Sequence, residues 1–95
     1  MSNQLYDLRK DIDTVDNQMI KLIAERFKLT EQVGLYKLQS KDVILQPGRW
    51  EEVLENLKTK ATEYNLSPEM LVKIWNEIHE ESLKQQERIQ RDAKK

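Results

Sequence analysis

The sequence predicts an all-α fold with three helices per chain. The first is very long, and a second copy completes an interwound homodimeric helical bundle. Three observations carry this. Glycine and proline are scarce, two of each in 95 residues, too few turn formers for a fold of many short strands. An apolar stripe of helical period runs for about five heptads from near the start of the chain. Hydrophobic residues make up only 38% against 35% charged, a low apolar share for a small domain that must bury its own core.

The first helix spans about Gln4 to Gln39. Leu5, Leu8, Ile12, Val15, Met19, Leu22, Leu29, Val33 and Tyr36 recur on it at alternating steps of three and four, with Arg26 interrupting the series. Helix formers fill the other faces and no proline breaks the run. At a rise of about 1.5 Å per residue such a helix is roughly 50 Å long. A compact monomer of this size has a radius of gyration of only about 12 Å. The helix therefore outruns any core that one chain can build, and a second copy alongside would bury its stripe.

Lys41 to Gly48 reads as a loop, with Pro47 suited to the first turn of the next helix. That second helix spans about Gly48 to Tyr64 and places Trp50, Val53, Leu54, Leu57, Ala61 and Tyr64 on one face. Asn65 is a stop signal. Ser67 followed by Pro68 is an N-cap with proline at the first helical position. The third helix then runs to about Ile89, with Leu71, Ile74, Trp75 and Ile78 facing inward. Residues 90–95 read as a charged, frayed tail. The whole of 1–95 reads as one domain without internal repeats or low-complexity segments.

The charge balance narrows the function classes. With 16 basic and 17 acidic residues the formal charge is −1. No basic excess favours nucleic acid or an anionic membrane. The absence of cysteine excludes disulfides, zinc–thiolate sites and thiol nucleophiles. The polar start, Met1-Ser2-Asn3-Gln4, has neither the basic nor the apolar region of a signal peptide. No apolar run reaches membrane-spanning length, so the expected location is the cytoplasm.

The informative residues are polar ones placed where the pattern asks for apolar ones. A guanidinium at the stripe position of Arg26 is costly unless something anionic meets it. Lys37 lies eleven residues on, close to three full turns, and so shares its face. Two readings fit: a register-setting arginine paired with Glu25 or Glu31 beside a snorkelling lysine, or two cations awaiting an anionic ligand. On the last helix the row Ile74, Ile78 continues as Ser82 and Gln86. That row is either an exposed helix end or the wall of a polar cavity. Arg49 opens the second helix, where the macrodipole does not favour a cation. Arg9 by itself is a surface arginine with Asp13 one turn away. His79 reads as a partly exposed helix residue rather than a ligand or base. Gly34, inside the long helix, costs about 1 kcal/mol relative to alanine, which a close approach of another element or a ligand would explain.

Taken together these positions resemble the all-helical class of chorismate mutases, over roughly residues 5 to 89. Leu8-Arg9-Lys10-Asp11-Ile12-Asp13, followed by Asp16, is similar to that family's opening signature. Ala24-Glu25-Arg26 and Val33-Gly34-Leu35-Tyr36-Lys37 are similar to two further stretches of it. Each motif alone is weak. The four cations at these separations, with Ser82 and Gln86, are more specific.

The resemblance implies an interwound dimer with shared active sites, each taking Arg9 from the other subunit. Arg26 and Arg49 would hold substrate carboxylates with it. Lys37 would reach a carboxylate and the ether oxygen, Gln86 would donate to that ether oxygen, and Ser82 would contact a carboxylate or hydroxyl. The implied reaction is the [3,3] rearrangement of chorismate to prephenate in aromatic amino acid biosynthesis, which requires no cofactor and no metal. In this family the positions of Gln46 and Trp50 commonly carry acidic residues that recognise the substrate's ring hydroxyl. Gln46 can still accept a hydrogen bond, whereas Trp50 reads as core or pocket wall. A branch of the same fold cleaves isochorismate to salicylate and pyruvate, and the loop before Arg49 is reminiscent of it. A helical interaction module, its cations serving as interface ion pairs, is the reading from a different class.

Overall fold

The computed structural model describes residues 3–40 and 48–94. The loop expectation over Lys41 to Pro47, and with it the site expectation at Gln46, lies outside the described residues. Three helices come in order, α1 (Gln4–Gln39), α2 (Arg49–Glu63) and α3 (Pro68–Ala93), with no strand among the described residues.

Local chemistry sets most of the helix ends. The Asn3 side chain accepts from the Tyr6 N–H at 3.0 Å and the Ser67 hydroxyl from the Met70 N–H at 3.2 Å. Each satisfies a donor that the first helical turn leaves open, and Pro68 succeeds Ser67 at the first helical position. After α2 the chain turns through Asn65 with φ 56°, a left-handed conformation that asparagine tolerates better than most residues. The Leu66 N–H then donates to the Ala61 carbonyl at 2.8 Å, and the Asn65 N–H to Thr62 at 3.4 Å. This pair of bonds is the Schellman arrangement, which satisfies two of the last carbonyls of α2.

α3 packs against both α1 and α2, which do not pack on each other among the described residues. Its core row steps through Leu71, Trp75, Ile78, Ser82, Gln85 and Ile89, all buried or half-buried. Ile74 lies at the margin of that row and Tyr64 at the end of α2, and both are exposed, against the expectation that they face inward. A single chain offers no second layer to cover them. α3 also continues to Ala93, past the expected end at Ile89 and through most of the segment read as a frayed tail. Ile89 is seated against Gly34 of α1, and this contact anchors the last turns where the sequence alone suggests fraying.

The contacts between α1 and α3 include Phe27, Thr30 and Gly34. A Cβ built on Gly34 would stand 2.9 Å from Ile89 Cδ1 and 3.5 Å from Gln86 Cγ. The glycine thus marks the closest approach of the two helices. Gln85 bridges them, accepting from the Thr30 hydroxyl at 2.7 Å and donating to the Phe27 carbonyl at 2.9 Å.

The first part of α1 has no such cover. Every residue from Gln4 to Glu25 is exposed, including Leu8, Ile12, Val15, Met19 and Leu22. The chain measures 64 × 30 × 16 Å with a radius of gyration of 17.9 Å, far above the roughly 12 Å of a compact monomer of this length. Among the described residues only Leu57, Ala61 and Ile78 form a buried apolar core. None of the described helices is long and apolar enough to cross a membrane.

Candidate active site

The three helices enclose a cleft of about 370 Å³. α1 lines it with Arg26, Thr30, Val33 and Lys37, which step by four, three and four and so fall on one face. α2 contributes its first two residues, Arg49 and Trp50, and Val53 one turn on. α3 contributes His79, Ser82, Leu83 and Gln86, again a single helical face. The cleft therefore brings together Arg26, Lys37, Arg49, Ser82 and Gln86, all singled out from the sequence.

Arg9 lies elsewhere. Seventeen residues separate it from Arg26 on one continuous helix, about 25 Å along the axis, so it does not reach the cleft of its own chain. Nor does it pair with Asp13. The ion pairs among the described residues are Lys60–Glu63 and Lys84–Glu81, both on the exposed surface.

The electrostatics of the cleft are one-sided. Arg26, Lys37 and Arg49 form no ion pair with the described residues, so the reading in which Glu25 or Glu31 neutralises Arg26 is not realised. No carboxylate among the described residues lines the cleft. Arg26 is half-buried, whereas Lys37 and Arg49 keep exposed surface. Unneutralised cations converging on a partly enclosed space concentrate positive potential there.

Ser82 adds a second signal. It is 6% exposed, and its Oγ is buried with no hydrogen-bond partner. A helical serine can satisfy itself on the carbonyl one turn back, and this one does not. An unmade buried hydrogen bond costs about 1–3 kcal/mol, which a ligand seated beside Ser82 would recover. His79 and Ser82 are not hydrogen-bonded to each other, so the pair does not form the activated serine of nucleophilic catalysis.

Trp50 and His79 close one wall. Their rings stack with centroids 4.4 Å apart and planes inclined by 23°, tying α2 to α3. Trp50 is thus pocket wall, as its sequence position suggests. Sequence reasoning left out Thr30 and Gln85 and read His79 only as a partly exposed helix residue, which its half-burial matches. Two of them had a readable signal: Thr30 lies four residues after Arg26 and seven before Lys37, and His79 lies seven before Gln86. Gln85 had none, because only the docking of α3 on α1 reveals its partners.

The fold and the cleft define a class: an all-helical protein whose cleft, among the described residues, is lined by three cations and no carboxylate. The family profile described as chorismate mutase type II matches residues 8–87, and the chain belongs to that family. A chorismate mutase of Methanocaldococcus jannaschii is 32% identical over 88 residues, covering 90% of this chain and 89% of that protein. A bifunctional chorismate mutase/prephenate dehydratase of Aquifex aeolicus is 35% identical over 78 residues, 79% of this chain and 22% of that protein. The corresponding bifunctional protein of Buchnera aphidicola (from Acyrthosiphon pisum) is 28% identical over 88 residues, 93% of this chain and 23% of that protein. The chain thus spans less than a quarter of the bifunctional relatives and most of the single-activity one.

Proposed function

We propose that two copies of the chain pair along α1 and rearrange chorismate to prephenate, each cleft being completed by Arg9 of the second copy. The observation that carries the reading is the set of three unpaired cations, Arg26, Lys37 and Arg49, around one cleft with the unsatisfied Ser82 hydroxyl and Gln86. Chorismate carries two carboxylates and an enol ether, and this donor set matches both.

The reaction is a [3,3] sigmatropic shift. The ether carbon–oxygen bond breaks while a carbon–carbon bond forms between the enolpyruvyl end and the ring, and no atom leaves. It calls for a folded substrate and for stabilisation of negative charge growing on the ether oxygen. The arginines hold the carboxylates through bidentate forks, which selects the folded conformer and removes entropy from the barrier. Lys37 of α1 and Gln86 of α3 both line the cleft and serve as donors to the ether oxygen, fixed before the reaction begins. The chain needs to supply neither a nucleophile nor a proton acceptor.

The pairing rests on the bare apolar stripe. Leu8, Ile12 and Val15 border a shallow apolar groove on α1, and residues 4–25 have no cover within the chain. A second α1 alongside would bury this surface and carry Arg9 to the cleft that its own chain cannot reach. The enzyme would work in the cytoplasm.

Incubating the purified protein separately with chorismate and with isochorismate, and identifying the products by chromatography, tests the reading. Prephenate from chorismate is expected. Salicylate and pyruvate from isochorismate without prephenate would move the chain to lyase chemistry. Turnover of neither by a folded dimer would leave a helical interaction module.

A further inference from the structure

We propose that His79, held in place by Trp50, is the group that recognises the substrate's ring hydroxyl and so sets which hydroxyl isomer the cleft accepts. The inference deepens the proposed function and rests on it. Once the arginines and Lys37 are engaged with carboxylates and ether oxygen, the ring hydroxyl still needs a partner. Cations can only donate to it, so an acceptor comes from the uncharged polar side chains of the cleft, Thr30, His79, Ser82 and Gln86. No carboxylate lines the cleft, so an acidic acceptor is absent among the described residues.

His79 has the required chemistry and position. It lines the cleft with Ser82 and Gln86 and is half-buried. Neither ring nitrogen has a hydrogen-bond partner among the described residues. The neutral imidazole both donates and accepts, so it can meet a hydroxyl in either sense. Trp50 covers one face of the ring at 4.4 Å, which restricts how the imidazole turns while leaving its edge free. An aromatic stack of this kind adds to the contact beyond plain burial. The tryptophan is therefore a positioning residue for the histidine. A polar wall that loses its partner group discriminates strongly, because its own hydrogen bond is then left unmade.

The test compares chorismate with its analogue lacking the ring hydroxyl, in the full-length wild type and in His79→Leu, His79→Gln and Trp50→Ala. The readout is the ratio of kcat/KM for the two compounds within each variant, which a general loss of folded protein leaves unchanged. Wild type is expected to favour chorismate by about tenfold or more. His79→Leu should bring that ratio close to one, His79→Gln should restore part of it, and Trp50→Ala should lower it with the histidine still present. A wild-type ratio near one, or a His79→Leu ratio equal to that of wild type, overturns the proposal while leaving the mutase reading intact. Failure of wild type to turn over chorismate at all overturns the mutase reading and this inference with it.

Discussion

Gly34 of α1 and Ile89 of α3 meet so closely that a Cβ on the glycine would stand 2.9 Å from the isoleucine Cδ1. Gln86, which lines the cleft, lies at the same crossing, with its Cγ 3.5 Å from that Cβ. A helical glycine that carries an entropic cost is thus matched to the place where the cleft's two principal helices come nearest.

Substitutions at Gly34 should accordingly divide by size. In Gly34→Ala the new methyl is crowded by the end of the Ile89 side chain and meets Gln86 Cγ at ordinary contact distance, while alanine gains about 1 kcal/mol of helix propensity. Its thermal midpoint should lie within a few degrees of wild type. Gly34→Leu pushes α3 away from α1 and should destabilise by about 1–3 kcal/mol, with a larger loss of kcat than of folded protein. Thermal unfolding monitored by circular dichroism checks both. A leucine variant as stable and active as wild type contradicts the close crossing.

Gln85 should behave as the clamp that fixes the rotation of α3 on α1. Gln85→Leu removes both interhelical bonds, and since the Thr30 hydroxyl keeps the Phe27 carbonyl at 3.1 Å the cost should be about 1 kcal/mol. Gln85→Glu keeps an acceptor for Thr30 but sets a carboxylate against the Phe27 carbonyl, so it should also destabilise. Urea denaturation measures the difference. Equal midpoints for wild type and Gln85→Leu would show that Gln85 is no clamp.

Arg26 sets stability against activity. It occupies a stripe position, is half-buried and has no ion-pair partner among the described residues. Arg26→Leu should leave stability unchanged or raise it by about 1 kcal/mol, as relief of an uncompensated charge does. It should lower kcat/KM for chorismate by about a hundredfold or more, because a bidentate carboxylate contact is lost. Unfolding and kinetics on the same preparation decide the matter. Lower stability with unaltered turnover would mark Arg26 as structural.

Much of this architecture was legible from periodicity. The stripe from Leu5 to Tyr36 marked the long helix, Asn65 and Ser67-Pro68 marked the turn between α2 and α3, and Arg26 stood out because it broke an apolar series. Arg26 and Lys37 of α1 and the Ser82–Gln86 row of α3 came from the same counting. What the sequence hid depends on how helices dock. Ile89 carries α3 onward because it finds Gly34 on another helix, and no local signal near residues 90–95 announces that contact. Gln85 looks like any exposed glutamine until Thr30 and Phe27 lie beside it. His79 read as a bystander because a lone histidine on a charged helix carries little information. Its stacking on Trp50 is a tertiary fact.

In the proposed enzyme the cationic cleft of one chain is completed by Arg9 of another. Mixing inactive Arg9→Ala and Arg26→Ala proteins, allowing subunit exchange and assaying prephenate formation tests this most directly. In a mixed dimer one cleft draws an intact Arg26 from one chain and an intact Arg9 from its partner. With random exchange of equal amounts, about a quarter of all sites should be whole, and activity should rise towards that fraction of wild type. Mixed dimers verified by mass that remain as inactive as either parent would contradict the shared site.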